Sequence, residues 1–212
     1  MKKPKHIRTD QLLETPYIRV YDLVYEDGTH YYDASRRKTG DLAAEHEETT
    51  MADAVSAFVV LNGEKPRLLL FYEYRYPTGQ YTLSIPSGLI DPADSSEENP
   101  LFHAMIRELH EETGIEITDQ DKLDLINPLV YCSPGFTDEC TALISVVVNS
   151  DWQHHLSQTG GEGTEHFDGF VLADAQEVRE RLRKGTDAYG HPYPLVAWAA
   201  MSWFVSGMWK TL

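Results

Sequence analysis

Three carboxylates, Glu108, Glu111 and Glu112, crowd into the run Arg107-Glu108-Leu109-His110-Glu111-Glu112-Thr113-Gly114. A spacing of four puts Glu108 and Glu112 one above the other on a helix face, with Glu111 beside them and Arg107 one turn before Glu111. Such a cluster repels itself unless positive charge sits within it, and one arginine can pair only some of its members. A solvated acidic helix face is the plain alternative. Oxygen-only ligands packed this closely suit a hard cation, Mg2+ or Mn2+, of the kind that clamps phosphates. The overall charge points the same way. With 34 acidic against 18 basic residues the chain carries a net −16, which argues against general affinity for nucleic acid or anionic membrane. An anionic substrate would need bound cations or a few placed arginines.

The elements that must position this cluster are legible around it. Asn99 is a suitable N-cap and Pro100 suits the first helical position. Leu101, Phe102, Met105 and Leu109 recur at helical spacing, and Gly114 is the expected stop. Gly88 marks a turn ahead of the helix. Residues 17–25 and 29–36 read as a hairpin across Glu26-Asp27-Gly28, and 38–51 as a polar connector. Further strands are predicted at 54–61, 67–72, 81–85, 125–131, 142–148 and 167–172, with closing helices at 173–184 and 195–209. Strands on both sides of a central helix imply a mixed sheet between helices. The length and the 42% apolar content allow one sizeable core plus an appendage. The N-terminus is charged without an apolar segment, and 195–209 is shorter than the roughly 20 residues a bilayer span needs, so a cytoplasmic protein is expected. Cys132 and Cys140 have no metal-ligand spacing and read as reduced thiols.

Residues 88–115 resemble the Nudix box, G-x5-E-x7-R-E-U-x-E-E-x-G-U with U aliphatic, whose glycines are Gly88 and Gly114 here. The half from Arg107 onward matches at every fixed position. The first half departs. Asp94 stands six residues after Gly88 where the pattern has Glu, and twelve residues rather than seven separate it from Arg107. Residues 94–98 read as a loop insertion, which leaves the first acidic place open to Asp94, Glu97, Glu98 or none of them. Upstream, Glu73-Tyr74-Arg75-Tyr76-Pro77 and the run ending Pro86-Ser87-Gly88-Leu89-Ile90-Asp91 resemble the QyRxP…W-x-x-E-x-P-A-G-L-I-D segment of ADP-ribose and ADP-sugar diphosphatases, with Glu73 for Gln and Ser87 for Ala. Downstream, Ser133-Pro134-Gly135-Phe136-Thr137-Asp138-Glu139 resembles their SPG loop.

The resemblance implies an α/β fold, a Nudix α/β/α sandwich over 51–212, with an N-terminal antiparallel β-hairpin extension over 1–50 that dimerises the chain. It implies Mg2+ or Mn2+ held by Glu108, Glu112, Glu165 and the backbone carbonyl of Ser87. Glu162 becomes the general base, although an ordinary acidic loop is the competing reading for both loop glutamates. Arg107 orients Glu111, and Arg75, Pro134 and Phe136 meet the substrate. Tyr32 and Arg37 fall where relatives stack an adenine. The implied reaction is hydrolysis of ADP-ribose to AMP and ribose 5-phosphate. Two rivals stay open: another nucleotide substrate (a UDP-sugar, a dinucleotide or a nucleoside triphosphate), and a nucleotide-sugar sensor without turnover.

Overall fold

The computed structural model describes residues 3–47, 51–94, 97–160 and 163–211. They fall into two compact units, Met1–Asp53 with Pro128–Thr141, and Ala54–Asn127 with Ala142–Leu212.

The first unit is built on an antiparallel sheet of β1 (His6–Glu14), β2 (Arg19–Tyr25) and β3 (His30–Ser35), in that order. The β2–β3 hairpin turns at Gly28, whose φ of 86° lies in the region open to glycine. Only the hairpin was legible in the sequence. The strand β1 escapes periodicity because it has no buried face: Ile7, Leu12 and Leu13 are all about half exposed. A small core gathers Tyr21, Leu23 and Leu42, and the Tyr21 hydroxyl donates to the carbonyl of Arg37. Arg37 itself forks onto Asp53, with Nε and Nη2 donating at 2.8 and 2.9 Å. Both side chains are mostly covered, so Asp53→Ala would strand a guanidinium and should cost about 2–4 kcal/mol, read as a lower urea midpoint.

The second unit carries the main sheet. Its strands are β4 (Ala54–Leu61), β5 (Arg67–Arg75), β6 (Gln80–Ser84), β7 (Ser87–Leu89), β8 (Lys122–Tyr131), β9 (Cys140–Val148) and β10 (Phe167–Ala173). The order is β10-β5-β4-β9-β8, with β6 added on β5 and β7 on β4. The ends of β8 and β9, residues 128–131 and 140–141, belong to the first unit. In β4 every residue after Ala54 is buried, the mark of a strand covered on both faces. Phe58 and Val60 join Leu68, Leu70, Met201 and Phe204 on the side of α2 (Ala175–Lys184) and α3 (Leu195–Ser206). Alternation turns their neighbours to the other face, where α1 (Pro100–Thr113) packs on β4 with Ala104, Met105 and Leu109 buried. Helices on both faces of the sheet make the α/β/α sandwich.

Three local expectations are revised. The first helical residue is Pro100, but the Asn99 side chain makes no capping bond. The helix α2 begins at Ala175 rather than at 173, because Asp174 caps it by accepting the N–H groups of Gln176 and Glu177. The closing helix stops at Ser206 instead of 209: Gly207 adopts φ 76°, and a separate 3-10 turn follows at Met208–Lys210. Among the described residues no helix is long and apolar enough to cross a membrane.

Candidate active site

The helix α1 does not present its acids to water. Glu108 and Glu112 are 9% and 5% exposed, on the face that also buries Met105 and Leu109. Glu111, one position over, keeps a side chain 40% exposed. Spacing made the first two neighbours; packing on β4 and β7 turned them inward.

Each buried carboxylate has little to compensate it. Glu112 Oε2 accepts the N–H of Ser87 at 3.0 Å. Glu108 Oε1 accepts Nη1 of Arg107 at 2.8 Å, and the same nitrogen reaches Glu111 at 3.2 Å. Burial pushes the Glu108 carboxyl up against the pull of Arg107, and it pushes Glu112 well above the ordinary carboxylate range. The charges of neighbouring carboxylates add to this, and Glu165 acts on both. Glu165 precedes β10, where His166 is tied to β5 by the Tyr74 N–H. A divalent cation would relieve the crowding, and the oxygen-only donor set fits a hard one. Among the described residues no three such groups converge at metal-ligand spacing.

Gly88 is required by contact. A Cβ there would run into the Glu108 carboxylate. Gly114 ends α1 at φ 73°, donating its N–H to the carbonyl of His110. Arg75 is engaged inside the unit: its Nη2 lies 2.6 Å from Glu73 Oε2, which also accepts the Ser84 hydroxyl at 3.0 Å. Burial raises the Glu73 carboxyl, with Arg75 opposing and Glu165 adding to the rise. Position 73, noted in the sequence as a departure from Gln, therefore supplies a further buried carboxylate. Glu162 lies outside the described residues.

Asp94 is the residue the sequence left undecided. It is 2% exposed, and its Oδ2 accepts Nη2 of Arg107 at 2.9 Å. Burial alone would raise its carboxyl, but hydrogen bonds from Arg107, His103 and the Asp91 N–H overcome this and hold it down to about 2. Arg107 also donates to the carbonyl of Leu89 at 3.1 Å. The insertion thus keeps an acid on Arg107, a partnership that counting residues could not decide.

A family model described as the NUDIX domain matches residues 50–194, more than half of the chain. The chain belongs to the Nudix family. It is 35% identical over 101 residues to putative nudix hydrolase 2 of Caenorhabditis elegans, covering 47% of this chain and 42% of that one. It is 36% identical over 139 residues to an uncharacterized Nudix hydrolase of Schizosaccharomyces pombe (63% and 62%). To the ADP-sugar pyrophosphatase of Mus musculus it is 29% identical over 133 residues (62% and 57%). These matches span 42–62% of the relatives' own lengths. A crystal structure of an ADP compounds hydrolase shares the fold at a TM-score of 0.63 and 18% identity, over 98% of this chain and 97% of that one.

The other predicted contacts of this Nudix chain lie in the first unit. There a cavity of about 930 Å³ is lined by Tyr25, Tyr31, Asp33, Pro134, Phe136 and Asp138, among others. Pro134 and Phe136, the two SPG-loop residues expected to meet the substrate, are among its lining residues. Tyr32 and Arg37 do not line this cavity. Strand alternation gives that face to Tyr31, whose hydroxyl donates to the carbonyl of Gly135, and leaves Tyr32 62% exposed. The Arg37 guanidinium is mostly covered and is paired with Asp53.

Burial, with Asp138 beside it, pushes Asp33 up to about 6 from 3.8. The ionised form is therefore the strained one: its cost is absent below pH about 4, appears as pH rises, and is complete above about 6. Asp33→Asn keeps an acceptor for the Asp138 N–H. It should raise Tm by about 2–4 °C at pH 7 and leave it unchanged near pH 3.5, which paired thermal melts would check.

Proposed function

We propose that this chain hydrolyses the diphosphate linkage of a nucleoside diphosphate sugar, with ADP-ribose the leading substrate, giving AMP and ribose 5-phosphate. The observation that carries the reading is the inward pair Glu108 and Glu112, two buried carboxylates facing one guanidinium and one backbone N–H. Burying such a pair is costly for the fold unless a ligand uses it. The names of the mouse relative and of the crystal structure with the same fold support the choice of an ADP-linked substrate.

Glu108, Glu112 and Glu165, with the Ser87 carbonyl, would hold Mg2+ or Mn2+. A cation so held supplies positive charge against the diphosphate and lowers the pKa of water. Arg107 keeps Glu111 and Glu108 in place. Arg75, paired with Glu73 and still 46% exposed, offers its remaining N–H groups to a phosphate oxygen. Glu162 takes the proton of the attacking water at its carboxylate. Water adds to one phosphorus as the bridging bond breaks, and a phosphate ester leaves. Within the first unit, Tyr31 and Phe136 line an aromatic cavity whose rings are suited to stacking on a base.

The chain is further read as two domains, a β extension over 1–50 and a hydrolase domain over 51–212. We read it as a cytoplasmic homodimer joined through the extension, where Ile7, Leu12, Leu13 and Tyr17 are exposed. Light scattering would show a mass of two chains, and a monomer would remove that part of the reading.

The deciding experiment measures phosphate-ester release from nucleotide sugars, dinucleotides and nucleoside triphosphates, with Mg2+ or Mn2+ and with EDTA. Metal-dependent AMP release led by ADP-ribose or an ADP-sugar is expected. Faster turnover of another class would overturn the substrate, and binding of ADP-ribose without turnover would make the protein a sensor.

A further inference from the structure

We propose that His103 is a positioning residue of the site, acting through Asp94 to hold Arg107 against Glu108 and Glu111. Asp94 is almost fully buried, and three donors meet its carboxylate. Oδ2 accepts the Asp91 N–H at 3.0 Å and Arg107 Nη2 at 2.9 Å, while Oδ1 pairs with His103 Nδ1 at 2.9 Å. Because the carboxylate is held ionised it can only accept, so Nδ1 carries the hydrogen. His103 and Arg107 are four residues apart on α1, which stacks their side chains on one face and brings both donors to the same acid.

The arrangement meets a difficulty specific to this sequence. An aspartate is one methylene shorter than a glutamate, and it approaches Arg107 from the loop at the start of the insertion rather than at the family's spacing. One carboxylate oxygen then serves both Asp91 and Arg107, and His103 gives Oδ1 its one hydrogen bond among the described residues. Removing that donor leaves the carboxylate held through Oδ2 alone, so that it can turn about its Cβ–Cγ bond. Arg107 turns with it, and Nη1 leaves the fork between Glu108 and Glu111. His103 is 54% exposed and reaches neither buried glutamate, so it acts only through Asp94.

The kinetic arm of the test rests on the hydrolase reading, and the spectroscopic arm does not. His103→Ala removes the donor, whereas His103→Asn sets an amide N–H close to where Nδ1 stood. In nitrogen-15 spectra the wild-type protein should show separate Nη signals for Arg107, assigned by their loss in Arg107→Lys. His103→Asn should keep them, and His103→Ala should collapse them into one. On the substrate found to be turned over, His103→Ala should lower kcat about tenfold, the effect of a lost outer partner, with KM changed less than about twofold. His103→Asn should restore most of the loss. Separate Nη signals surviving in His103→Ala would overturn the proposal, as would equal losses of kcat in both variants. If no substrate is turned over the hydrolase reading fails, and the Arg107 signals alone decide the role of His103.

Discussion

Glu112→Gln should lower kcat/KM at least about 100-fold, since losing even an outer partner of a metal ligand costs 10–100-fold. The fold should survive the change. Glutamine keeps an acceptor for the Ser87 N–H and fills the same volume. Burial raises the Glu112 carboxyl well above 4.5, so at neutral pH its ionised form works against folding, and that cost grows as pH rises above 4.5. In EDTA at pH 7 the variant should therefore melt no lower than the wild type. Adding Mg2+ should raise the wild-type Tm and leave the variant nearly unmoved, because a ligand stabilises only the state that binds it. Ordinary activity of the variant at ordinary Mg2+ would remove Glu112 from the metal set. A melt many degrees lower in EDTA would instead make it a structural residue.

Gly88→Ala should lose activity on a similar scale for a different reason. The new Cβ would occupy the place of the Glu108 carboxylate, the far end of a flexible side chain, so the glutamate can swing aside and the backbone need not move. Stability should fall by no more than about 1–2 kcal/mol. The displaced carboxylate would leave Arg107 Nη1, to which it now stands at 2.8 Å, and would no longer lie beside Glu112. The expected result is a near-native melt with Mg2+ affinity and kcat both strongly reduced. Native kcat in a well-folded Gly88→Ala would show that the position of Glu108 is unimportant to turnover. Gly160 makes an instructive contrast. A Cβ there would meet the backbone carbonyl of Glu111, which cannot swing away, so its substitution would act on the fold first.

What the sequence determined by itself is the part written in local chemistry. Pro100 and Gly114 bound α1 to the residue, because a missing N–H and a left-handed backbone are properties of single residues. The strands β4 and β5 could be found from unbroken apolar runs, and the spacing of Glu108 and Glu112 fixed them on one helical face before any partner was known. Tertiary structure alone decided which way that face turned: an acid pair at that spacing serves water or a buried site equally well, and β7 and β4 bury it. The same holds for Asp94, whose pairing with Arg107 spans an insertion of no fixed length. It holds also for Arg37, committed to Asp53 sixteen residues away, and for β1, whose side chains carry no burial pattern to read. Local rules see a residue and its near neighbours along the chain. The partners that decide burial, ion pairing and the position of a charge are brought together only when the chain folds.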